Sequence, residues 1–238
     1  MNGIISISGV IAILLLAGGA LGVLRRQEFS VRWLLVAAAL VLVNDVMLTN
    51  GYGLIPDLLP DSDWNWQGKA LALAATLLIV SLPVFGWRRS GLTLTQAAGS
   101  LKAAIPVVLL YIAFFTAIAW LFPAEPASAE TIAFQLTMPG LEEEPFYRGI
   151  LFFALDRAFL GRKQFLGVEW GWGAALSCVV FGFAHAFGFS DGQFSFDPLT
   201  MVLTAVPSFI GVWLVLRTRS VLLPVVLHNF GNAITLLF

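Results

Sequence analysis

Eight apolar runs, at residues 4–24, 31–48, 70–87, 101–122, 131–156, 172–190, 198–216 and 220–238, constrain this chain more than anything else in it. Each meets or approaches the roughly 20 residues that a helix needs to cross the hydrocarbon core of a bilayer. A segment in lipid must satisfy its backbone polar groups internally, so runs of this length read as helices. The predicted fold is therefore all-α: a polytopic membrane protein, a bundle of about eight transmembrane helices with the lipid bilayer as its solvent. Composition agrees. Of the 238 residues 59% are hydrophobic and 11% charged, where a soluble domain carries about 25% charged. A net charge of −1 offers no basic footprint, so no nucleic-acid partner is expected. The one cysteine, Cys178, can form no intrachain disulfide and reads as a small buried hydrophobe.

The loop charges test the count of spans independently. Arg25, Arg26, Arg32, Arg88, Arg89, Lys102, Arg157, Arg162, Lys163, Arg217 and Arg219 all fall in every second loop. The alternate loops carry Asp57, Asp61, Asp63, Glu125, Glu130, Asp191 and Asp197, with Lys69 as their one basic exception apart from Arg148. By the positive-inside rule both termini face away from the cytoplasm. Arg25 and Arg26 follow the first run and no basic residue precedes it, the reverse of a secretory signal, so it is expected to be retained. No repeat or linker divides the chain, which reads as a single membrane domain over 1–238 in a prokaryotic plasma membrane.

Some polar residues have ordinary readings. Trp64 and Trp66, among aspartates and prolines, suit an interfacial belt on the outer surface. Asn44 and Asp45 either line a cavity or close the second span at the headgroups. Pro83 and Pro106 are expected to kink their spans.

Glu142, Glu143, Glu144 and Arg148 do not have one. A charge deep in a bilayer costs at least about 2.5–3.5 kcal/mol on insertion scales, so four together ask for a reason. The turn Met138, Pro139, Gly140 is expected to break the fifth segment, with Pro145 in the first turn of the next helix. That would set the glutamates at a helix N-terminus, where the dipole favours them. Glu144 and Arg148, four apart, can pair, which leaves the other carboxylates unexplained. The two histidines, His185 and His228, fall in the same outer-to-middle zone as the acids, judged by a rise of about 1.5 Å per residue. His228 and Asn232, four apart, can point two donors the same way.

Glu143, Glu144 and Arg148 fit the pattern Glu-Glu-x-x-x-Arg, Phe181 and His185 fit Phe-x-x-x-His, and His228 and Asn232 fit His-x-x-x-Asn. In this order, on separate helices, they resemble the CPBP family: type II CAAX prenyl proteases and their bacterial relatives, also called the Abi or lysostaphin-resistance-protein-like family. The motifs occupy 140–238, which the resemblance marks as the catalytic half. It implies an intramembrane endopeptidase in which Glu143 activates water with help from His185, His228 and Asn232 hold the oxyanion, and Glu144 and Arg148 order the site. Glu142 departs from the two-carboxylate pattern, but only the Glu143 and Glu144 register places an arginine at the required spacing. Burial of a glutamate and preorganised donors in a dry site are what such chemistry asks for. Metal use is left open: zinc would take Glu143, His185 and His228 with water in the fourth position, whereas His-Glu-x-x-His is absent. The expected partner is a membrane-associated peptide or protein substrate, unprenylated in a prokaryote. A non-catalytic scaffold or bacteriocin-immunity protein of the same fold is the alternative. A proton-coupled transporter predicts inverted repeats, and none is visible.

Overall fold

The computed structural model describes residues 2–238. Its helices are α1 (Asn2–Leu24), α2 (Val31–Leu48), the single turn α3 (Asn50–Gly53), α4 (Trp66–Val80), α5 (Leu101–Leu121), α6 (Ala129–Glu144), α7 (Phe152–Ala158), α8 (Trp172–Ala186), α9 (Pro198–Thr218) and α10 (Leu222–Ile234). Apart from the turn α3, they fall on the eight predicted runs, with α6 and α7 sharing the fifth, so the all-α membrane bundle stands. Only α1, α2, α5 and α9 are long and apolar enough to cross a membrane unaided. Helices α4, α8 and α10 have 15, 15 and 13 residues, about 20–22 Å at 1.5 Å per residue against a core of about 30 Å.

Several predicted boundaries are corrected. The third run stops being helical at Val80, so Pro83 lies in the turns that follow and kinks nothing; Pro106 does sit inside α5. The sixth run leaves the helix at Ala186 and becomes β3 of a hairpin described below.

The largest correction concerns the fifth run. Helix α6 does not break at Pro139 and Gly140 but continues to Glu144, then passes through a π-helical turn, Pro145–Leu151, into α7. A proline ring collides with the carbonyl four residues back and has no N–H to give it; widening the turn at Pro145 relieves that collision without ending the helix. The glutamates therefore stand in the middle of a continuous helix, and the favourable N-terminal dipole is not what offsets their charge.

This composite helix is the post around which the others pack. From Glu142 to Phe152 every residue is buried, with Phe146, Ile150 and Leu151 at 1% exposure or less. Helices α2, α4, α8 and α9 contact its π turn, and α10 lies along α6. Close approach uses small residues, as membrane helices require. At Gly173 an added Cβ would meet the Asp156 backbone nitrogen at 2.5 Å, so α7 and α8 touch backbone to backbone.

The basic loops gather at one end of the bundle. There the Leu160 N–H donates to the Glu28 carbonyl at 2.8 Å and the Val221 N–H to that of Gly91 at 2.9 Å. A hairpin of β1 (Lys163–Phe165) and β2 (Val168–Trp170) lies between α7 and α8. A second, β3 (Phe187–Ser190) with β4 (Gln193–Phe196), covers the other end, where the Phe189 N–H donates to Ser6 Oγ at 2.8 Å. Asp197 caps α9, and the bond it accepts from the Thr200 hydroxyl, with those from the Thr200 and Leu199 N–H groups, holds its carboxyl below the usual range.

Candidate active site

The fifth segment aims its carboxylates in two directions. Successive residues turn about 100° around a helix, so Glu142 and Glu143 meet Lys69 of α4, while Glu144 meets Arg148 and α10. Lys69 Nζ lies 2.7 Å from Glu142 Oε2 and 2.5 Å from Glu143 Oε1. Arg148 Nε lies 3.2 Å from Glu144 Oε2, the predicted pair four residues apart. Glu142, Glu143, Glu144 and Arg148 are all buried, at 1, 8, 3 and 3% exposure. Burying such charges is tolerable only where each finds a partner, and the ammonium of Lys69 supplies what the helix dipole does not.

The two histidines complete the arrangement from α8 and α10. His228 Nδ1 sits 2.7 Å from Glu144 Oε1, which fixes the ring and turns Nε2 toward Glu143 Oε2, 3.6 Å away. His185 Nδ1 lies 2.8 Å from the Phe181 carbonyl, and a carbonyl can only accept, so this nitrogen carries the hydrogen. Its Nε2 faces the same Glu143 oxygen at 3.8 Å. That oxygen makes no hydrogen bond within the protein. Asn232 donates to Gln135 Oε1 of α6 at 3.1 Å.

All six predicted residues border one cavity of about 490 Å³, which runs from Trp64 and Asn65 at the end opposite the basic loops, past the site, to apolar walls from α5, α9 and α10. The structure thus brings acids, imidazoles and amide together around a shared hollow. Trp64 and Trp66 are also more than a belt. Their indole N–H groups donate to Thr131 and Glu130, their rings pack on Phe134, and Trp64 lines the cavity.

Four contributors had no role from sequence, although Phe181 opens the second motif. Lys69 stood out only as an exception to the charge alternation. Phe181 lies under the Arg148 guanidinium, 4.1 Å from its centre, and beside the His185 ring. Gln135 holds Asn232. Asn229, between the two residues of the third motif, accepts the Gly140 N–H at 2.7 Å and so ties α10 to α6 where Pro139 interrupts the ladder. A Cβ on Gly140 would lie 2.5 Å from the Val225 carbonyl oxygen. Gly140→Ala is accordingly expected to cost about 1–3 kcal/mol of stability through overpacking and to lower turnover by displacing α10, measured as unfolding in micelles and as hydrolysis rate.

Zinc fits this donor set poorly. Among the described residues no group of three His, Cys, Asp or Glu side chains is arranged to hold a metal, and Glu143, the carboxylate such an ion would need, already carries the Lys69 ammonium at 2.5 Å. A dication about 4 Å from that ammonium would be repelled by several kcal/mol even at an effective dielectric of 20.

A base-capable carboxylate and ring nitrogens face one hollow sunk within a helical membrane bundle, an arrangement compatible with intramembrane hydrolysis. Residues 125–234, a little under half of the chain, match the family model described as type II CAAX prenyl endopeptidase Rce1-like. That match supports, in general terms, a membrane peptidase similar to the CAAX proteases. Neither curated proteins nor solved structures gave a match. Lys69, Trp64 and Asn44 lie outside the matched residues.

Proposed function

We propose that the protein hydrolyses a peptide bond of a membrane-associated or exported polypeptide, with Glu143 as general base and no metal. The observation that carries this is the Glu143 oxygen without a protein partner, faced by both histidine Nε2 atoms across the cavity. Glu143 takes a proton from water as the water oxygen bonds to the carbonyl carbon, and the carbonyl electrons move onto oxygen. His228 and Asn232 donate to that oxyanion. The carbonyl then re-forms, the C–N bond breaks, and the proton held by Glu143 passes to the leaving amine, with His185 beside it to share the transfer.

For His228 to donate from Nε2 while Nδ1 donates to Glu144, both ring nitrogens must carry hydrogens. Arg148 and Glu144 act as positioning residues for His228, by the same logic that a buried carboxylate orients a catalytic histidine.

The cavity reaches Trp64 and Asn65 at the end away from the basic loops, which the positive-inside rule turns outward. This favours an unprenylated substrate reached from the extracytoplasmic side of a prokaryotic plasma membrane, with both termini on that side. The test is quantitative comparison of membrane peptides from cells carrying wild type or Glu143→Gln: substrates should accumulate and their fragments disappear in the variant. Identical peptide profiles, with the biological effect of the protein intact, would favour a scaffold or bacteriocin-immunity role. A second expectation concerns metal. Hydrolysis by purified protein should survive exhaustive chelation unchanged, and loss of activity restored by zinc alone would reverse the metal-free mechanism.

A further inference from the structure

Behind the acidic cluster, between α1, α2 and the central helix, lies a second cavity of about 220 Å³. Ser6, Asn44, Asp45, Glu142 and Tyr147 give it a polar lining, and Lys69, Glu143 and His185 form a wall common to both cavities. Asn44 and Glu142 are 7% and 1% exposed, and Asn44 Oδ1 and Glu142 Oε1 have no hydrogen-bond partner in the protein. A buried acceptor left so costs about 1–3 kcal/mol. A polar space of this size has room for several waters, each with a share of about 30 Å³ in the liquid, and water satisfies such groups.

We propose that this cavity is the water site of the enzyme, delivering the attacking water to Glu143 from the face opposite the peptide. The proposal rests on the hydrolytic reading of Glu143 and extends it. A peptide seated in the larger cavity covers the carboxylate from the Trp64 side, so water arriving there competes with substrate. Water arriving past Asn44 and Glu142 does not. Glu142, which the two-carboxylate motif leaves without a role, becomes with Asn44 the acceptor pair that holds the water file, and Ser6, half-buried at the α1 edge beneath the β3 hairpin, marks its outer end.

The test has two arms on the full-length protein in membranes. Cys178 is fully buried and is replaced by Ala to give a silent background. In that background Asn44→Cys is exposed to a small charged methanethiosulfonate and compared with Ala37→Cys, a position on α2 with 0% exposure that borders neither cavity. Asn44→Cys should react at least roughly tenfold faster, and a saturating peptide should not protect it; equal rates, or full protection by peptide, would overturn the proposal whether or not the protein is a peptidase. In the second arm Asn44→Leu should lower kcat roughly tenfold at unchanged KM, the loss of one water-ordering hydrogen bond in the transition state, while Asn44→Ser, which keeps a neutral acceptor, retains turnover. Wild-type kcat in Asn44→Leu would exclude the supply role. If Asn44→Leu fails to fold, Ser6→Leu narrows the same cavity from its rim and is read the same way. Absence of hydrolysis by the wild type would end the peptidase reading and the supply role with it, while labelling would still report whether the cavity holds water.

Discussion

Glu143→Gln will abolish peptide hydrolysis, with kcat falling about 10²–10⁴-fold, the usual contribution of a positioned general base, while the protein remains folded. The amide keeps the shape of the side chain, and Lys69 retains Glu142 at 2.7 Å, so the ammonium is not stranded. What is lost is the lone pair on the oxygen that faces His185 and His228. Glu144→Gln makes the contrast. It removes the charge from His228 Nδ1 and from Arg148 without touching the base, so its effect should be smaller and should appear with reduced stability. Measured side by side as single-turnover rate and unfolding midpoint, a rate-only loss at Glu143 and a mixed loss at Glu144 are expected. Turnover unchanged in Glu143→Gln would remove the base from the mechanism.

Those two carboxylates could be singled out from sequence because their spacing to Arg148 is a local, helical relation, and the helices could be counted because apolar length is local too. The failures have physical causes of the opposite kind. The Phe187–Phe196 hairpin was hidden by its own composition: alternating phenylalanines continue the hydropathy of α8, yet Asp191 and Gly192, with φ of 51° and 78°, make the tight turn that Asp-Gly favours. Pro139 and Gly140 look like a break when only the ladder is considered. The Asn229 side chain, which arrives from α10 to take the Gly140 N–H, removes the reason to break. Pro145 likewise does not start a new helix, because the wider π turn accommodates its ring. The site shows the same division. Motif spacing exposed the acids and imidazoles, but the cation that makes two adjacent buried acids affordable comes from a helix that carries no motif, and its pairing is visible only in three dimensions.

Lys69→Met should therefore cost about 3–5 kcal/mol of stability, the range for removing one partner of a buried ion pair. An exposed pair would lose only about 0–1 kcal/mol, and burial decides between them: the Lys69 side chain is 13% exposed and that of Glu142 1%. The loss is expected because two carboxylates are left facing each other across a low-dielectric space. Glu142→Gln in the same chain removes one of them, so the double variant should recover part of the loss, with a coupling of about 0.5–3 kcal/mol in the cycle. Equilibrium unfolding of the four proteins in mixed micelles measures this directly, and additive losses would show that the ammonium does not balance Glu142. Turnover then separates balance from positioning. Lys69 also fixes Glu143 Oε1 at 2.5 Å, leaving the other oxygen aimed at the histidines, so the double variant should regain stability without regaining rate. If rate returns together with stability, Lys69 only neutralises charge, and the aim of the Glu143 carboxylate is set by the central helix itself.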